Sequence, residues 1–266
     1  MTITPESVWA DVDRIRAKAP LVHNITNFVV MNTTANALLA IGASPVMAHA
    51  EDEVVDMVGI AAALVINIGT LRGPWIAAMH TAAAAARKKG IPIVLDPVGV
   101  GATRYRTDTA KALMETASPT IIRGNASEIQ ALAGAAAATK GVDATAASSA
   151  ALDAGRALHG ALGSVVCISG ETDYIIGAKA VVAVANGHPM MPRVTGLGCT
   201  ASALCGAFAA VNSDAAAATA HAMVVMGIAG EMAAIAAAGP GSLQTRFIDA
   251  LYQLQAEDIH RLMRIG

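Results

Sequence analysis

Residues 194–208 read VTGLGCTASALCGAF: two glycines flank a leucine, a cysteine follows, and small helix-forming residues come next. A helix N-terminus carries unpaired N–H groups and a partial positive charge, so it attracts anions and lowers the pKa of a thiol placed there. Gly196, Leu197 and Gly198 are therefore a candidate anion hole, and Cys199 a candidate reactive group. Asp96, Glu128 and Arg123 offer complementary chemistry. The two carboxylates could hold Mg²⁺, directly or through water, because a hard cation takes oxygen ligands and keeps several waters. Arg123 could clamp a phosphate with its planar fork, or pair with Glu128 instead. No G-x-x-x-x-G-K-[ST] occurs in the chain, which excludes a P-loop as the phosphate cradle.

These residues need elements to position them. Short apolar runs alternate with longer helical patterns: ALVINIG (63–69), a helix from Gly73 to Lys89, IPIVL (91–95), a helix through 107–117, PTIIRG (119–124), a helix from about Asn125, an alanine-rich helix over 145–161, and SVVCISG (164–170). Unbroken apolar strands separated by helices predict an α/β fold with a mostly parallel sheet covered on both faces. DYIIG and AVVAVANG follow closely enough to pair as a hairpin. After Gly198 the pattern is helical almost to the end, broken at Gly239-Pro240-Gly241. With no linker, repeat or low-complexity tail between them, these elements read as one domain over 1–266.

Each parallel run turns polar or glycine-rich at its carboxyl end: His23-Asn24, Asn67-Ile68-Gly69-Thr70, Asp96-Pro97-Val98-Gly99, Arg123-Gly124-Asn125 and Ser169-Gly170-Glu171. Gly, Asn and Asp are ordinary residues for a strand exit. Five such exits that also carry Asp96, Arg123 and, just beyond, Glu128 instead predict a binding rim, where ligands of open α/β sheets sit.

Composition bounds the setting. Hydrophobic residues make up 55% of 266 and aromatics 3%, so a large core must be aliphatic. A net charge of −2, with both signs scattered, gives no footprint for nucleic acid or an anionic membrane. Cys167, Cys199 and Cys205 lack C-x-x-C spacing, which speaks against a disulfide framework and suits a reducing cytoplasm. The N-terminal MTITPESVWADVDR has no apolar h-region. Mean hydropathy of +0.52 draws attention to 215–238, but this run contains His221 and Glu231 and is mostly alanine, so it predicts a buried helix rather than a membrane span.

Several stretches together resemble the hydroxyethylthiazole kinase family of the ribokinase-like superfamily: PLVHNITNFVVMNTTANALLAIGASPVMA (20–48), VLDPVGVGATRYRT (94–107), IIRGNASEI (121–129), SGETDYI (169–175) and VTGLGCTASA (194–203). The resemblance implies a three-layer ribokinase-like fold. It also implies ATP-dependent, Mg²⁺-assisted phosphorylation of the hydroxyl of 4-methyl-5-(2-hydroxyethyl)thiazole in thiamine salvage, and a homotrimer with active sites between subunits. Carried over residue by residue, it puts Met47 and Gly196 at the thiazole, with Asn24 lining that pocket. Arg123 and Ser169 fall at ATP, Asp96 and Glu128 at the metal and phosphates, and Cys199 at the reacting hydroxyl. The chain departs from the family pattern with Ser169 in place of threonine and with Leu197 in G-L-G-C, where G-T-G-C is usual. Ser169 keeps the hydroxyl, and the backbone donors of the glycine turn are unaffected by Leu197.

Ribokinase-like relatives carry an aspartate base where Cys199 stands. An ordinary thiol, with a pKa of about 8.5, is a few per cent thiolate at neutral pH. A helix end raises that fraction and bound phosphates oppose it, so Cys199 is expected to act as a modest general base. Cys167 and Cys205 are expected to be packing residues. Gly196 to Ala201 also fits G-x-G-x-x-A, but no apolar strand precedes it and no acidic strand end follows, which disfavours a nicotinamide site. A pyrimidine or pyridoxal kinase, or a non-catalytic nucleotide-binding regulator, are the alternatives on the same fold.

Overall fold

The computed structural model describes residues 2–134 and 144–266. One eight-stranded sheet organises it, in the order β2-β1-β3-β4-β5-β6-β7-β8. The strands are β1 (Leu21–Ile25), β2 (Ser44–Val46), β3 (Ala63–Asn67), β4 (Ile93–Asp96), β5 (Ile121–Asn125), β6 (Val165–Ser169), β7 (Asp173–Ile176) and β8 (Val181–Val184). The first six are parallel, and the predicted hairpin of β7 and β8 adds an antiparallel edge.

Helices cover both faces, which is why the inner strands carry apolar side chains on both faces ahead of their polar carboxyl ends. In β3, Ala63 and Val65 face one hydrophobic cluster while Leu64 and Ile66 face the other. The first cluster is built with α1 (Pro5–Lys18), α2 (Met31–Ile41), α8 (Leu197–Ala209), α9 (Ala215–Ile235), α10 (Pro240–Gln253) and α11 (Ala256–Leu262). The second is built with α3 (Val54–Ile60), α4 (Gly73–Lys89), α5 (Arg104–Ala117), α6 (Ala126–Leu132) and α7 (Ala144–Leu162). In α4 the buried residues Trp75, Ala78, Met79, Ala82, Ala83 and Ala86 recur at helical spacing, so small side chains make the contact stripe.

The near-continuous helix expected after Gly198 is interrupted at 210–214 as well as before Pro240. Asp214 causes the first restart: its side chain accepts from Ala216 N and Ala217 N at 3.1 Å, giving α9 an N-cap. Among the described residues α9 alone is long and apolar enough to cross a membrane, and it lies in the core, with 78% of its most apolar window buried. In α8, a Cβ on Gly206 would come 2.7 Å from Val65 Cγ2, so the glycine allows this helix to lie close against the sheet. That close seat brings the N-terminus of α8 to the carboxyl edge of the strands.

Candidate active site

The carboxyl edge lays the site residues out along the sheet. Met47 follows β2, Asn27 follows β1, Asn67 ends β3, Asp96 ends β4, Arg123 lies in β5 and Ser169 ends β6. Above the middle of this row sits the turn into α8. Gly196 is its N-cap with φ +86°, a left-handed conformation, and a Cβ there would come 2.6 Å from Val30 Cγ1. No side chain caps the helix, so its first-turn N–H groups point into the site without a side-chain partner. Leu197 turns away into the core, and its exposure is 5%. A Cβ on Gly198 would meet Arg123 Nη1 at 2.9 Å, so the guanidinium lies directly against the glycine turn.

Arg123 does not pair with Glu128. Its Nη2 donates to Ser169 Oγ at 2.6 Å, and Ser169 Oγ donates to Gly124 O at 3.3 Å. Glu128 is held by backbone instead: Gly99 N donates to Oε1 and Asn125 N to Oε2, both at 2.9 Å. The second bond completes a capping box at α6, because Asn125 Oδ1 accepts from Glu128 N. Burial disfavours the Arg123 charge, yet Asp96, Cys167, Glu128 and Asp173 together hold its pKa above the ordinary value.

Asp96 is fully buried at the centre. Ser202 Oγ and Asn67 Nδ2 both donate to its Oδ2 at 2.8 Å, while Oδ1 has no protein partner. Burial pushes its pKa up to about 6, against the pull of Arg123 and the two hydrogen bonds; the Glu128 charge adds to the rise. An unpartnered carboxylate oxygen in this position fits a cation. No cluster of three or more His, Cys, Asp or Glu occurs among the described residues, so an ion here would draw its other ligands from phosphates and water, as Mg²⁺ does.

Cys199 stands in the first turn of α8 and accepts from Asn27 Nδ2 at 3.4 Å. The expected lowering of its pKa is reversed. Burial and the neighbouring Asp96 charge push the thiol up to about 11, outweighing Asn67, Asn27 and Arg123, which act to lower it. Cys167 and Cys205 are fully buried, as packing residues should be. Asn24 lies within β1 at 1% exposure; its Nδ2 donates to Val22 O, and its Oδ1 has no partner.

The sequence assigns no individual role to four residues here, of which only Asn67 is named on the predicted rim. Asn27 and Asn67 form the amide link beside Cys199, and Asp173 sits near Arg123 with its pKa pushed up by burial to about 6. Ser202 reaches Asp96 from one turn beyond Cys199, and that i, i+3 spacing was the signal available for it.

The model of the hydroxyethylthiazole kinase family matches residues 12–257. A hydroxyethylthiazole kinase from Syntrophus aciditrophicus (strain SB) is 66% identical over 266 residues, covering 100% of this chain and 98% of its own. The solved structure of a hydroxyethylthiazole kinase protein from Pyrococcus horikoshii OT3 superposes with a TM-score of 0.91 at 42% identity, covering 98% of each chain. A ribokinase-like superfamily protein from Enterococcus faecalis V583 shares the fold, with a TM-score of 0.59 at 17% identity over 87% of this chain and 86% of its own. With a family match across most of its length and a relative two-thirds identical throughout, the chain belongs to the hydroxyethylthiazole kinase family.

Proposed function

We propose that this protein transfers the γ-phosphoryl group of ATP to the hydroxyl of 4-methyl-5-(2-hydroxyethyl)thiazole, a step of thiamine salvage. The observation that carries this reading is the uncapped N-terminus of α8, flanked by Cys199 on the β1 side and by Arg123 and Ser169 on the β5–β6 side. The alcohol then belongs over β1 and β2, near Met47, Gly196 and Asn24, and ATP over β5 and β6. The N–H groups of Leu197, Gly198 and Cys199 stabilise charge on the transferring group, and positioning with electrostatics supplies most of the rate. Cys199 accepts the hydroxyl proton. With a pKa near 11 it does so from a small thiolate fraction, so it is a weak base. Asp96, and Glu128 through water, would hold Mg²⁺, which when bound neutralises phosphate charge.

The same reading places the thiazole pocket between the subunits of a homotrimer. Phe28 and Val29, next to Asn27 at the rim, are 53% and 63% exposed and offer apolar surface for a second copy. Phosphorylation measured with Mg·ATP and a panel of thiazole, pyrimidine and pyridoxal alcohols tests the reaction. Turnover is expected with the thiazole alcohol, and a preference for another alcohol would replace that assignment. Light scattering should give about three times the 26.8 kDa chain mass; a fully active monomer would remove the shared pocket.

A further inference from the structure

Cys199 and Asp96 are joined by two buried side-chain amides whose orientations are both forced. Asn67 Oδ1 accepts from Asn27 Nδ2 at 2.8 Å and from Gly69 N at 2.9 Å. Its Nδ2 must then face Asp96 Oδ2, an acceptor, at 2.8 Å. Flipping the amide would set oxygen against carboxylate and N–H against two N–H groups. Asn27 is fixed in the same way: its Oδ1 accepts from Val29 N at 3.1 Å, so its Nδ2 is the end that reaches Asn67 Oδ1 and Cys199 Sγ. A Cβ on Gly69 would come 2.6 Å from Asn27 Nδ2, so the glycine makes room for this amide. The Asn67 Cα lies opposite that of Asp96 in the β3–β4 register, and both asparagines are almost wholly buried. Because Asn27 Nδ2 can only donate, the sulfur is an acceptor on this side, and any thiol hydrogen must point elsewhere.

We propose that Asn67 is a positioning residue that couples the two halves of the site. Through Asn27 it holds an N–H donor on Cys199 Sγ, and through its own Nδ2 it fixes Asp96, so the proton acceptor and the phosphate-facing carboxylate keep one mutual geometry. The proposal rests on the reading of the reaction given above, but its test does not depend on turnover alone. Cys199 is only partly buried, whereas Cys167 and Cys205 are sealed in the core, so iodoacetamide should label Cys199 selectively in the substrate-free protein.

Loss of a hydrogen bond to the thiolate should slow this labelling about fivefold at fixed pH in Asn67→Ala and in Asn27→Ala. The double variant should be slowed by less than the product of the two single effects, because Asn67 acts on the sulfur in part through Asn27. In steady-state kinetics Asn67→Ala should lower kcat about 30-fold and leave both KM values within about threefold. Wild-type labelling in folded Asn67→Ala, or effects of the two single variants that simply multiply, would overturn the proposal. If Asn67→Ala does not fold, Asn27→Ala carries the test, and wild-type labelling there overturns it equally. Wild-type protein that never phosphorylates the thiazole alcohol would sink the reading of the reaction, while the labelling pattern still judges the amide pair.

Discussion

Asp11 in α1 and Asp96 at the end of β4 are both fully buried, yet their surroundings treat them in opposite ways. Asp11 has every oxygen occupied. Arg14 reaches Oδ1, while Asn212 Nδ2 at 2.7 Å and His221 Nδ1 at 2.6 Å meet Oδ2. Burial raises its pKa, but the bonds from His221 and Asn212 and the charges of His221 and Arg14 outweigh that and hold it below the usual carboxylate value. Asp96 receives two neutral donors on one oxygen and nothing on the other, and its pKa rises to about 6. A closed set of partners ties α1 to α9 and the α8–α9 turn. An open one keeps a costly charge in reserve for a ligand, the pattern expected where a site gives up stability for function.

Cys199→Ala should produce the largest effect at the open site, a loss of about 10²–10⁴-fold in kcat if a general base contributes its usual share. ATP affinity should change little, because the helix N–H groups remain. Cys199→Asp should keep or raise kcat. The wild-type rate should climb with pH above neutrality, since a thiol near 11 gains thiolate with each unit, whereas the aspartate variant should be flatter. A phosphocysteine intermediate, or a dead but folded Cys199→Asp enzyme, would remove Cys199 from the role of base.

Asp96→Asn should follow closely, with kcat reduced about 10²–10³-fold, the scale of losing one preorganised charge-stabilising group, and with a weakened response to Mg²⁺ titration. The same variant should melt higher than wild type without nucleotide. Wild-type kcat with an unaltered Mg²⁺ titration would erase the contrast with Asp11. Asp11→Asn should do the reverse. Setting an amide N–H against the Asp11 donors should cost about 3 kcal/mol, read as a lower denaturation midpoint, while kcat stays within about twofold. A catalytic defect there would mean that α1 docking reaches the site.

Much of the frame of the open site was legible in the sequence, but unevenly. The strands that end at Asp96, Arg123 and Ser169 announced themselves because a strand buried on both faces must be apolar throughout and turn polar at its exit. The turn into α8 did so through its glycines. What stayed hidden was which partner each polar group takes. Arg123 and Glu128, five residues apart, suggested an ion pair, but β5 carries the guanidinium toward Ser169 in β6 while the capping box turns Glu128 onto backbone N–H groups. Cys199 was expected to be acidified by its helix end, a local effect. Burial and the charge of Asp96, a hundred residues away in sequence, reverse it. In the Asp11 network only the Arg14 pair follows helical spacing; Asn212 and His221 lie 201 and 210 residues away, and no spacing rule points to them.

The smallest expected effect is a difference in slope, and it tests the comparison most directly. Asp96 has a folded pKa of about 6 against about 3.8 unfolded, so the folded state binds its proton more tightly. Wild type therefore loses stability as pH rises from about 4 to 6, by about 2 kcal/mol if most of the shift is realised. Asparagine at 96 does not titrate, so the advantage of Asp96→Asn should be absent below pH 4, grow through this window and level off above pH 6. Asp11 has the opposite sign. Its folded pKa is depressed, so its contribution is fully present above the unfolded value and is lost only on further acidification. The deficit of Asp11→Asn should accordingly shrink as pH falls below about 4.5. Asp173, also raised to about 6, titrates alike in all three proteins and cancels from the differences. Urea midpoints at half-unit steps of pH measure both curves. Parallel pH dependences for the two variants would show that the two carboxylates are not, after all, held on different terms.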